Sequence, residues 1–161
     1  MQKEAPTLTI TLTRSFIAED FFRDWKVEPN FARLFRYTVE ETGGRRVAVD
    51  LHSLDGWLEN GPILRKLGGI REVAISLQVF AAIAALGLSF VACVFDESGK
   101  PWAVFHRQEG AKHIVGADSI DYQYWWYGGG QFVSRHVSER AQKRRWQREV
   151  QAFISPPSIF A

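Results

Sequence analysis

Residues 73 to 95, VAISLQVFAAIAALGLSFVACVF, form an apolar run long enough to cross a bilayer as a single helix. A chain that carries such a run must either place it in a membrane or bury it on all sides. Its internal composition favours burial in two pieces. Gln78 interrupts the run between Ser76 and Ser89, and Gly87 divides it where helix-forming alanines give way to Val, Phe and Cys. The pattern predicts a buried helix over residues 70–86, closed by Gly87, and a buried strand over residues 88–95. No membrane is expected as a partner on this reading. The N-terminus, MQKEAPTLTITLT, also lacks the basic start and apolar stretch of a secretory signal.

A chain of 161 residues fits one globular domain, 1–161, with residues 155–161 after the double proline expected to be irregular. Apolar residues at 46% and charged residues at 24% are those of an ordinary folded protein. The net charge of +2 is too small to imply a nucleic-acid or membrane partner by itself, so any basic signal must be local. Cys93 is the only cysteine, which excludes an intramolecular disulfide and points to a reducing compartment, with the cytoplasm expected.

Periodicity supplies the remaining elements. TLTITLT, residues 7 to 13, alternates as a strand, and SFIAEDFFRDW reads as a short helix with Ser15 as its cap. The runs 33–41 and 45–51 alternate on either side of ETGGRR, the signature of a hairpin whose glycines supply the turn. Ser53 to Gly69 suggests short helical turns ended by Gly68 and Gly69. LSFVACVF, DESGK and PWAVFHR make a second hairpin whose first arm, apolar on both faces, belongs in the middle of a sheet. IDYQYWWY, residues 120 to 127, reads as another strand, and a helix is predicted from about Val133 to Phe153. The expected fold is α+β, with a mostly antiparallel sheet of about five to six strands packed on a buried central helix and an amphipathic basic helix at the C-terminus.

Three features bear on function. The aromatic segment holding Tyr124 and Trp125 is either core or a platform on which bases stack. Gly128, Gly129 and Gly130 let backbone amides approach an anion, with the following helix expected to aim its positive end at the same place. Neither GxGxxG nor the GxxxxGK[ST] phosphate loop is present. In the C-terminal helix Arg140, Arg144 and Arg148 recur every four residues as one stripe, while Trp146, Val150 and Phe153 gather on nearly the opposite side. Guanidinium groups in a row suit phosphates or carboxylates, which each can bind through two parallel hydrogen bonds.

Catalysis has thinner support. Asp50 and His52 share one face of their strand and are candidates to join His106 or His113 around a metal, but HExxH and CxxC are absent and no metal or other cofactor is expected. An enzyme built on Asp50, His52 and Glu40 ranks third. The expectation is therefore a small intracellular, non-catalytic protein that holds an anionic partner, nucleic acid first, through the arginine stripe and the glycine loop. The alternative is a protein-interaction module or inhibitor that presents aromatics such as Trp57 or Trp125 together with arginines.

Overall fold

The computed structural model describes residues 5–54, 64–121, 130–136, 147–148 and 150–151. In chain order the elements are β1 (Thr7–Thr11), β2 (Ser15–Ile17), α1 (Ala18–Phe21), β3 (Lys26–Val27), α2 (Pro29–Phe35), β4 (Val39–Glu41) and β5 (Arg46–Ser53). They are followed by α3 (Ile70–Val73), α4 (Leu77–Ala84), β6 (Phe90–Phe95), β7 (Pro101–Glu109), β8 (Lys112–Ser119) and β9 (Gln131–Arg135). Residues 64–66 are also helical. A seven-stranded sheet runs β1-β5-β9-β6-β7-β8-β3, and β2 and β4 form a separate two-stranded ribbon. The β3–β8 and β6–β9 pairs are parallel and the others antiparallel. The fold is thus α+β, but the expectation of a mostly antiparallel sheet on one central helix is overturned. The sheet is mixed, and among the described residues the helices are short and scattered.

The predicted hairpin around ETGGRR is not one. Residues 33–35 of its first arm belong to helix α2, and β4 pairs with β2 while β5 pairs with β1. Residues 7–17 and 39–50 therefore run antiparallel as one interrupted ribbon. At the interruption, three residues (12–14) face four (42–45), and Gly43 and Gly44 take φ of 67° and 77°. The glycines absorb a bulge rather than close a turn. SFIAEDFFRDW likewise begins as strand. Ser15 pairs with Glu41, and the helix proper is only Ala18–Phe21, without a side-chain cap. The excursion between the ribbon's arms takes the chain to the far edge of the sheet, where β3 pairs with β8, and it buries Phe22, Phe31 and Phe35 in the larger core.

The apolar run 73–95 resolves into helix and strand, as its composition implies, although the helix is broken. Between α3 and α4 the chain is extended at Ala74 (ψ 140°), and Ile75 N–H donates to Cys93 O over 3.0 Å. Ser76 then caps α4 by accepting from Val79 N–H at 3.2 Å, and Gly87 closes it with φ of 86°. Among the described residues, no helix is long and apolar enough to cross a membrane.

β6 is the fourth of seven strands and has core on both sides. Phe90, Ala92 and Val94 join the larger core with Phe80 and Ile83 of α4, while Val91 and Cys93 join a second core with Leu54, Leu64, Val73, Ala103 and Phe132. A strand buried on both faces shows no alternation, which is why its sequence reads as a continuous apolar run. Burial pushes the Cys93 thiol up to about 12. Labelling by a thiol reagent at neutral pH is therefore expected to be slow in the native protein and fast in denaturant. Fast native labelling would remove β6 from the centre of the sheet.

The predicted hairpin DESGK is present. β6 and β7 pair from Phe90↔His106 to Phe95↔Pro101, and Gly99 turns with φ of 85°. Asp96 organises this turn, accepting from the Ser98 hydroxyl (2.6 Å), the backbone N–H of Ser98 and Lys100, and the Trp102 indole N–H (2.8 Å). These bonds, the Ser98 hydroxyl foremost, lower its carboxyl from 3.8 to about 2. A depressed carboxyl contributes stability that is present above its ordinary value and is lost as pH falls through the folded one. Between pH 3.8 and about 2 the urea midpoint of the parent should therefore fall more steeply than that of Asp96→Asn. Parallel slopes would refute this role.

The C-terminal part departs furthest from expectation. Lys112–Ser119, which the periodicity does not flag, is strand β8, paired with β7 along its length. The helix predicted to start at Val133 does not start there, because Gln131–Arg135 is strand β9, inserted between β5 and β6. Helical residues follow at Gln147, Arg148, Val150 and Gln151.

Candidate functional site

The alternation of β5 places Val47, Val49 and Leu51 on the larger core and turns Asp50 and His52 to the other side of the sheet. There β9 meets them. Asp50 lies directly opposite Ser134 and His52 opposite Phe132. The Ser134 hydroxyl and His52 Nε2 share a hydrogen bond of 2.8 Å. Asp50 Oδ1 accepts from His136 Nδ1 at 2.9 Å and from the Thr7 hydroxyl at 2.8 Å. Strands β1, β5 and β9 thus contribute one polar ladder.

Burial lowers the pKa of His52, more than the neighbouring Asp50 charge raises it, and Lys66 lowers it further. His52 is therefore neutral at neutral pH. The Ser134–His52 distance is that of a nucleophile and its base, but the carboxylate beside them holds His136 and Thr7 through the same oxygen, and Ser134 is buried. Glu40, the second carboxylate considered for catalysis, serves α4 instead. It accepts from Gln78 N–H at 2.7 Å, and its own burial raises its pKa against those backbone bonds.

His106 and His113 are together but far from a role with Asp50, since they project with Phe90 and Val115 to the larger-core side. His106 Nδ1 donates to Leu88 O, so its Nε2 accepts, and His113 Nδ1 donates to it at 2.9 Å. Burial lowers the His106 pKa, which keeps this chain of donors in one direction. Trp25 stacks on His113 with centroids 4.2 Å apart and an interplanar angle of 12°. Among the described residues no group of three or more His, Cys, Asp or Glu side chains converges as metal ligands would.

Of the anion-site residues, Gly130 lies at the start of β9, where its carbonyl accepts from Leu54 N–H and the space beside its Cα is open. Gly128 and Gly129, Tyr124 and Trp125, and Arg140 and Arg144 lie outside the described residues, as does Trp57. Arg148 is helical and exposed. The glycines lead into a strand, so no helix N-terminus follows them directly. Arg135, counted with the helix by periodicity, belongs to β9, and its guanidinium donates to Arg71 O (2.7 Å) and Glu72 O (3.4 Å). Ser134 and His136 were not singled out from the sequence. Their spacing of two matches Asp50 and His52, but only the pairing register joins the two sets.

A further feature is apolar. Ile17 and Val39, opposite each other in the β2–β4 ribbon, are both exposed, and Tyr37, 73% exposed, follows two residues before Val39 with Arg36 over its ring at 5.3 Å. Comparison with protein-family models, with curated proteins and with solved structures finds no match for the chain.

Proposed function

We propose that the protein is a non-catalytic binding protein for an anionic partner, nucleic acid, held by the chain on either side of β9. The observation that carries this reading is the position of β9. One five-residue strand has the glycine segment at its start, with the Lys66 charge near it, and the basic segment at its end. The two ends of such a strand lie about 17 Å apart, a distance over which a duplex presents several phosphates at one charge per ~1.7 Å of axis. Arg148, exposed on a helix, is available to such a partner. Measuring the affinity for labelled single- and double-stranded oligonucleotides at rising salt tests the proposal. Log affinity should fall linearly and steeply with log salt. Absence of binding at low salt would end it.

A protein partner is the second reading, favoured by the exposed Ile17–Val39 pair and by Arg36 stacked on Tyr37, because interface centres are rich in Tyr and Arg. Its affinity would change little with salt, and Val39→Lys would weaken it while leaving oligonucleotide binding intact.

A further inference from the structure

Between α1 and α2 lies a cavity of about 210 Å³. Phe22, Phe31 and Val27 wall it, and Ala18 and Ala32 stand where larger side chains would fill it. Phe22 and Phe31 meet edge to face at 5.1 Å, so the walls are already braced by the core and do not need a ligand to order them. At the solvent side are Arg36 and Glu19, both more than half exposed, with 3.9 Å between guanidinium nitrogen and carboxylate oxygen. That is the outer limit of an ion pair, and an exposed pair of this kind contributes little. Arg36 follows Ala32 by four residues, so the helix carries both on one face, cavity below and cation above.

We infer that this cavity binds a small carboxylic acid with a single apolar ring, the ring against the wall formed by Phe22, Val27 and Phe31 and the carboxylate on Arg36. Volume sets the size, since an apolar cavity of roughly 150 Å³ takes up benzene and this one has room for a short acid chain as well. Charge sets the class. A carboxylate replaces Glu19 on the guanidinium with a two-point contact, exchanging a loose pair for a close one. The site is separate from β9 and does not depend on the reading of that surface.

The probe is 3-phenylpropionate, with 3-phenylpropylamine and propylbenzene as comparators, followed by the amide and methyl NMR signals of residues 18–36 in the full chain. Saturable shifts at Ala18, Val27 and Ala32 are expected with the acid, at an affinity about tenfold or more above that of either comparator. Arg36→Met should remove that preference, and Glu19→Gln should strengthen acid binding by freeing the guanidinium. Ala32→Leu, which fills the cavity, should abolish binding without loss of thermal stability. The proposal is overturned if the acid produces no saturable shift at millimolar concentration, if the amine binds as well as the acid, or if Glu19→Gln weakens the acid. Because Glu19 and Arg36 are exposed, their variants remain folded and keep the test decisive.

Discussion

Phe132→Ala should cost the fold about 3–5 kcal/mol, the range for emptying a fully buried phenylalanine site, against a total of roughly 5–15 kcal/mol for a domain. Phe132 has no exposed surface and packs with Leu54, Leu64, Val73, Val91, Cys93 and Ala103, residues drawn from both sides of β9. The position of the strand enlarges the consequence. Among the described residues β9 is the only strand that links β1-β5 to β6-β7-β8-β3 in the sheet order, so the ring that anchors it also joins the two portions. Urea unfolding should show the midpoint falling at an unchanged slope. The exposed Tyr37→Ala should stay within about 0.5 kcal/mol of the parent. A loss below about 1 kcal/mol at Phe132 would mean that β9 is not a structural member of this sheet.

Replacing Arg140, Arg144 and Arg148 together by Gln should produce the largest change in binding. Arg and Gln have similar helix propensity, so folding should be retained. If the proposed partner is nucleic acid, three lost phosphate contacts at ~1 kcal/mol or more each amount to about a hundredfold in affinity. The slope of log affinity against log salt should shrink by roughly 2–3, at about 0.7–0.9 per phosphate. A Trp125→Ala variant should lose much less unless that ring stacks a base, worth ~1–3 kcal/mol. Unchanged binding by the triple variant would remove the arginine stripe from the contact surface and favour the protein partner. Loss of folding would show that the stripe is packed rather than solvated.

Features set by short-range chemistry were legible in the residues alone. An apolar run without alternation placed β6 in the sheet interior and Cys93 in the core, Gly87 marked the end of the helix before it, and DESGK marked the β6–β7 turn. The shared face of Asp50 and His52 was also legible, because alternation is a property of one strand.

Strand pairing, by contrast, is a long-range property that exists once the sheet has assembled. Residues 33–41 and 45–51 read as the two arms of a hairpin, yet nothing local states that β2 and β1 pair with them instead, and the glycines that suit a hairpin turn suit a bulge equally well. β8 carries Gly116 in its interior, a weak strand signal, and the reason is a contact with another strand. A Cβ there would lie 2.3 Å from the Phe105 ring. Val133–Arg135 reads as the start of a helix because the arginine periodicity beyond it is strong, whereas the open edges of β5 and β6 offer these residues backbone hydrogen bonds that no helix start could match. The Ser134–His52 and His136–Asp50 contacts depend on that same insertion. Residues more than 80 positions apart meet there through a register that exists only once the sheet has closed.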